Sequence, residues 1–181
     1  MKRDPKWDGF KPFLKTVPKQ GIIAELGVYH ATKTRVVYDI LKPKKMIWVD
    51  WWAEYSNANQ PQAFWDEAKR DALNNFKQEI AWKKVTVHDV GFMTAVRRIA
   101  DERLDFIRHD ADERQGQMTS VLRAYWPKLK PGGIWMGHGF ENRPPWSGSI
   151  PAVVQHIREF DDVELLGVLA DQSHFVLRKA D

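Results

Sequence analysis

The sequence predicts a doubly wound α/β domain, and three features predict it. Residues 21–34, GIIAELGVYHATKT, run from an apolar strand through Gly27 into a helix-compatible segment. That order builds a ligand crevice at the carboxyl end of a parallel strand. Apolar runs closing on an acid then alternate with stretches of helical spacing, as a parallel sheet with crossover helices requires. The C-terminal stretch reads as two strands joined by a short turn, an antiparallel hairpin added to the sheet.

Composition bounds the function. The 181 residues suit one domain, residues 21–181, behind an N-terminal lid or extension, residues 1–20. Hydrophobic content of 43% with 29% charged residues is that of a soluble globular protein. No apolar stretch approaches the roughly 20 residues that span a bilayer. Met1 to Pro5 leads into no apolar signal core, so a cytoplasmic location without membrane contact is expected. The absence of cysteine excludes disulfides, thiolate metal sites and a thiol nucleophile. The net charge of +4 is spread out, with small clusters at Lys42–Lys45 and Lys83–Lys84, so nucleic acid is not an expected partner. Nine tryptophans fit a large core or a stacking pocket equally well. A homo-oligomer is left open.

Taken in order, Pro5, Pro12 and Pro18 preclude one long helix in residues 1–20, and an irregular or short-helical lid over the first strand is expected. Ile22 to Leu26 is that strand, interrupted by Glu25. Gly27 permits a sharp turn and close approach of a ligand to the backbone. A helix from about Thr32 to Leu41 stops at Pro43. Met46 to Asp50 is a second buried strand. Residues 51–60 form an aromatic and amide-rich loop. Pro61 starts a helix to about Trp82, with Phe64, Ala68, Ala72 and Phe76 on one face. Val85 to Asp89 is a third strand, Met93 to Ala100 a helix, and Leu104 to Asp110 a fourth strand. A helix from Gln115 to Leu129 ends at Lys130-Pro131-Gly132-Gly133. Ile134 to Gly137 is the fifth strand, followed by a loop from His138 to Ser149. Pro151 to Phe160 is helical, and Val163–Ala170 and Ser173–Arg178 form the hairpin.

Glu25 is the first chemical signal, because a carboxylate inside an apolar strand is costly unless something hydrogen-bonds it. It could accept from a ligand hydroxyl or ammonium, or from local backbone donors.

Glu25-Leu26-Gly27-Val28-Tyr29 resembles the first motif of class I S-adenosylmethionine-dependent methyltransferases, in the small O-methyltransferase form typified by catechol O-methyltransferase. Asp50 matches that family's ribose-binding acid, and His88-Asp89-Val90 occupies its adenine-contact position. Leu104 to Glu113 (LDFIRHDADE), Leu129 to Ile134 (LKPGGI) and Gly137-His138 are similar to the bacterial branch that includes sugar and macrolide O-methyltransferases. The resemblance implies a Rossmann-like, seven-stranded, mostly parallel sheet with an antiparallel C-terminal hairpin and helices on both faces. It implies S-adenosylmethionine as cofactor and a small polar or glycosylated molecule as acceptor. Glu25, Gly27, Val28, Tyr29, Asp50, Trp51, Asp89, Val90, His109 and Asp110 are the cofactor-contacting residues it implies.

The departures are specific. A second glycine common in the family is Ala31. Where the branch reads Ile-Asp-Gly-Asp-His, this chain has His109-Asp110-Ala111-Asp112-Glu113. Gly139 follows His138 where the branch tends to place an Asp. In metal-dependent relatives those acids hold magnesium, which lowers the acceptor's pKa. Asp110 alone survives in place, and one carboxylate rarely holds magnesium, so no metal ligands are assigned and magnesium dependence is doubtful. Asp112 or Glu113 could rebuild the site.

Without metal, transfer needs an aligned acceptor and a base. His138 is the best-placed base, followed by Asp110, His109 and Glu113. Trp51, Trp52, Tyr55, Phe140 and Trp146 could shape an acceptor pocket or cover the core. Two other readings stand beside the methyltransferase. One is a methyltransferase-fold protein that only binds S-adenosylmethionine or another nucleotide. The other is a nicotinamide-binding enzyme, which the lack of Gly-x-Gly-x-x-Gly and the terminal hairpin disfavour.

Overall fold

A computed structural model describes residues 9–53, 60–140, 148–171 and 173–181. The sheet has seven strands: β1 (Ile22–Leu26), β2 (Lys45–Asp50), β3 (Val85–Asp89), β4 (Leu104–His109), β5 (Leu129–His138), β6 (Val163–Val168) and β7 (His174–Lys179). Their order is β3-β2-β1-β4-β5-β7-β6. Strands β1 to β5 pair in parallel, and β7 lies antiparallel between β5 and β6. Strand order reverses between β1 and β4, the place where such sheets open a crevice.

The helices are α1 (Lys11–Leu14), α2 (Thr32–Leu41), α3 (Gln62–Asn75), α4 (Lys77–Ala81), α5 (Phe92–Ala95), α6 (Gln115–Tyr125) and α7 (Ser149–Glu159). Successive strand residues face opposite sides, so the central strands feed two cores. Ile23, Trp48, Phe106 and Met136 pack with α1, α2 and α3 through Phe10, Leu14, Val37 and Ala72. Ala24, Val49, Ile107 and Trp135 pack with α6 and α7 through Met118, Leu122 and Val153. The N-terminal segment contributes Phe10, Leu14 and Val17, all buried. No helix among the described residues is long and apolar enough to cross a membrane.

Element boundaries depart from the expectations where packing overrides periodicity. The helix expected over 61–82 breaks at Phe76, whose φ is −124°. The Phe76 ring is wedged against Trp48, at 4.7 Å between centroids, and lies under the Arg35 guanidinium at 3.6 Å. The helix expected over 93–100 is one turn of α5 followed by a 3-10 turn, Val96–Arg98. Helix α6 stops at Tyr125, four residues short of Leu129, because Pro127 diverts the chain into a 3-10 turn. Residues 129–133, expected as a helix end and turn, instead open β5 with an irregular register against β4.

Candidate functional site

An open crevice of about 1170 Å³ lies at the carboxyl ends of β1, β2 and β4. Gly27, with φ of +88°, forms its floor. A Cβ there would overlap the Asp110 carbonyl, so only glycine lets the two chain segments approach. Val28, Tyr29, Asp50, Trp51, His109 and Asp110, all candidates from the sequence, also line it.

Asp50 braces the crevice as much as it lines it. Its Oδ2 accepts from the Val28 and Tyr29 amides at 2.7 and 2.9 Å, and its Oδ1 accepts from the Trp52 amide at 3.1 Å. A carboxylate has about four acceptor positions, so these three bonds leave one for a ligand. Tyr29 and Trp52 are held at φ of 53° and 41°, a left-handed backbone that bulky residues adopt only when their surroundings enforce it. The Trp52 indole donates to the Tyr29 carbonyl at 3.0 Å and helps to do so.

Glu25 does not reach the crevice. It is fully buried beneath it, where Oε1 accepts from the Arg108 guanidinium and, at 3.4 Å, from the Thr34 hydroxyl. The donors to Oε1 are therefore side chains and not local backbone amides, while Oε2 has no partner among the described residues. Burial pushes the Glu25 carboxyl up to about 7 against the pull of Arg108. Asp89 and Val90 also lie off the crevice wall. Asp89 pairs with Lys69, and Val90 packs against the core. The neighbouring Gly91, Phe92, Met93 and Thr94 line the crevice in their place. Trp52 lines it too, whereas Phe140 stacks on Phe175 in the core. Tyr55 and Trp146 lie outside the described residues.

The second half of the site stands beside Asp110. Oδ2 of Asp110 accepts from Arg108 and, at 2.8 Å, from Lys33. Burial opposes ionisation, but Arg108, Lys33 and His138 outweigh it and hold the carboxyl well below its ordinary range. Oδ1 of Asp110 lies 3.4 Å from His138 Nδ1, and that nitrogen meets Glu113 Oε1 at 2.5 Å. Asp110, Glu113 and His138 thus present one ligand atom each within 4.8 Å of one another, a set that fits a divalent cation. Asp112, the other acid of the segment, is taken by Arg114. His109 is buried with neither ring nitrogen hydrogen-bonded among the described residues, and burial pushes its pKa down to about 4.

A family model described as a methyltransferase domain matches residues 24–140, more than half of the chain. The chain belongs to the methyltransferase-domain family. No curated protein sequence matches it. Solved structures share the fold. An O-methyltransferase from Bacillus cereus, in complex with S-adenosylhomocysteine, superposes with a TM-score of 0.69 at 15% identity, over 99% of this chain and 83% of that one. An S-adenosylhomocysteine-bound methyltransferase from Podospora anserina gives a TM-score of 0.68 at 14% identity, over 100% of this chain and 80% of its own.

Sequence reasoning missed two charged residues of this methyltransferase domain. Neither Arg108 nor Lys33 is singled out by the sequence, yet both hold Asp110. A signal for Arg108 existed. It interrupts the apolar run of β4 as Glu25 interrupts that of β1, and the two are direct partners in the parallel register. Two misplaced charges in adjacent strands are each other's explanation.

Proposed function

We propose that the protein moves a methyl group from S-adenosylmethionine to a hydroxyl of a small polar or glycosylated acceptor. The position of Asp110 carries this reading. Its carboxylate is part of the crevice wall and also lies 3.4 Å from His138, so donor site and proton acceptor meet at one residue. Family membership supports the transfer, and the two relatives bound to S-adenosylhomocysteine support the donor.

The remaining acceptor position of Asp50 suits a ribose hydroxyl. Asp110, kept ionised, faces the ammonium and sulfonium end, and Lys33 suits the cofactor carboxylate. Trp51 and Met93 offer apolar surface to the adenine, and His109 offers it a ring nitrogen.

In the reaction the acceptor oxygen attacks the methyl carbon, an O–C bond forms, and the C–S bond breaks with its electron pair returning to sulfur. The hydroxyl proton passes to His138. With Nδ1–H directed at Glu113, Nε2 is the basic nitrogen, and the Glu113 carboxylate stabilises the imidazolium. A divalent cation held by Asp110, Glu113 and His138 would supply Lewis acidity in place of the base, weakening the acceptor O–H bond.

The test uses methyl-labelled cofactor with a panel of sugars, catechols and glycosides. His138→Ala and Asp110→Asn should each lower transfer by roughly 100-fold or more. Full-rate transfer in both variants would refute the base. Absence of S-adenosylhomocysteine binding by the wild-type protein would refute the donor.

A further inference from the structure

The edge of the sheet opposite the crevice gathers positive charge that lies apart in the sequence. The two small lysine clusters, Lys42–Lys45 and Lys83–Lys84, are separated along the chain by all of α3 and α4. Parallel pairing of β2 with β3 joins them at the amino ends of the strands, where the Met46 amide donates to the Lys84 carbonyl at 2.8 Å. The Lys44 amide donates to the Gly21 carbonyl and the Gln20 amide to the Leu41 carbonyl, each at 3.0 Å, which brings Lys19 to the same edge. Lys19, Lys42, Lys44, Lys83 and Lys84 are exposed, and Lys45 is half-buried. Trp82 stands beside them, 61% exposed, with the Lys84 ammonium 5.8 Å from its ring centroid.

The fold leaves these charges unused. Among the described residues, no side chain of Lys19, Lys42, Lys44, Lys45 or Lys83 forms an ion pair or hydrogen bond. Lysines elsewhere do, as Lys33, Lys69, Lys128 and Lys130 each hold a carboxylate. Acids of the adjoining segments are engaged by other cations: Asp39 and Glu79 by Arg35, and Asp105 by Lys130. Lys42 and Lys83 follow the ends of α2 and α4, where a cation offsets the helix dipole. Two helix ends amount to about one negative charge, so most of the charge on the six lysines stays uncompensated. Both residues also hold a left-handed backbone, with φ of 47° and 58°, where helices usually end in glycine or asparagine. Lysine is strained there, and its charge faces solvent.

We infer that this edge docks on an anionic membrane surface, with the lysines against the lipid headgroups and Trp82 at headgroup level. Charge complementarity sets the partner. Lysine is a hydrated point charge on a flexible stem and suits a diffuse anionic surface, whereas interfaces between proteins are depleted in it. The cations come from three adjacent strand starts, each about 4.8 Å from the next, so they cover an area and do not follow a line. A nucleic-acid strand is held along a groove by aromatic rings in series, and here one tryptophan stands among the lysines. Its amphipathic ring favours the membrane–water interface. The expectation of no membrane contact rested on the lack of a spanning segment, which attachment by a basic surface does not require. Docking by the amino ends of the strands leaves the crevice, at their carboxyl ends, open to solution.

The test is co-sedimentation of the full-length protein with vesicles of phosphatidylcholine alone or of equimolar phosphatidylcholine and phosphatidylserine. Binding to the mixed vesicles at about 0.1 M salt, and its loss at about 1 M, is expected. Each lysine near an anionic surface is worth roughly fivefold in affinity, so Lys83→Ala combined with Lys84→Ala should weaken binding about 25-fold. Arg70→Ala combined with Arg158→Ala removes the same charge from α3 and α7 and should leave binding unchanged. Lipid with brominated chains should quench tryptophan emission of the wild-type protein and not that of Trp82→Phe. Equal binding to phosphatidylcholine alone, no binding to the mixed vesicles, or wild-type binding by the folded double lysine variant would overturn the inference. Tighter binding to a single-stranded oligonucleotide than to the mixed vesicles would also overturn it and make the edge a nucleic-acid surface. The inference does not rest on the methyl-donor reading, which is tested by its own titration with S-adenosylhomocysteine.

Discussion

Asp50 shows how much a single carboxylate can be asked to do. Three backbone amides from two loops converge on it, so it both shapes the crevice and offers a remaining acceptor position to the ligand. Asp50→Ala should weaken S-adenosylhomocysteine binding by about 1–3 kcal/mol, through the lost ligand bond and the loosened loops together. Calorimetric titration checks this. Unchanged affinity in a folded variant would remove Asp50 from the site. The same residue shows what a position in sequence leaves open. An acid ending a strand is legible as a ligand group, and in the fold its carboxylate already holds three loop amides.

Among elements, the pairing of β1 with β4 decides most about the site. Register sets Glu25 beside Arg108, and Arg108 carries the interaction on to Asp110 at the crevice wall. Both members of the buried pair are at most 1% exposed, so removing one leaves the other without its partner in a dry interior. Arg108→Met should destabilise the fold by about 3–5 kcal/mol. Glu25→Leu combined with Arg108→Met should regain most of that loss, because burying neither charge is cheaper than burying one. Chemical denaturation of both single variants and the double variant measures it. A double variant as unstable as the sum of its singles would show that the two groups are not coupled. The turn from β1 to α2 is the other decisive element, and there Gly27 was legible from sequence for the right physical reason. Its neighbour across the turn, the Asp110 carbonyl, was not.

On the scale of the whole molecule, burial of histidine ties stability to pH. His156 sits between Trp126 and Phe160, at 4.8 and 4.5 Å between ring centroids, with no hydrogen bond to either ring nitrogen among the described residues. Burial pushes its pKa down from 6.5 to about 4. The unfolded chain therefore takes up this proton near pH 6.5, while the folded chain does not until about pH 4. Stability is full above the higher value and falls as pH drops towards the lower one. Thermal melts from pH 7 down to 4 should show a falling Tm, and His156→Phe should flatten the decline. A variant with the wild-type slope would place the acid sensitivity elsewhere.

The sequence by itself determined the doubly wound sheet, its terminal hairpin and the run of acids at strand ends. Those rest on local signals: period-two apolar runs, helical spacing, and the glycine and proline chemistry of turns. It also placed Gly27, Asp50, His109 and Asp110 on one crevice, because parallel strands bring their carboxyl ends to one edge. Only the tertiary structure decided which acids are free and which are spent. Glu25 is spent on Arg108, Asp112 on Arg114 and Asp89 on Lys69. Asp110, Glu113 and His138 are left facing one another. The physical reason is that a charge's role depends on its partner. Partners such as Glu25 and Arg108 lie 83 positions apart in the chain but side by side in the sheet.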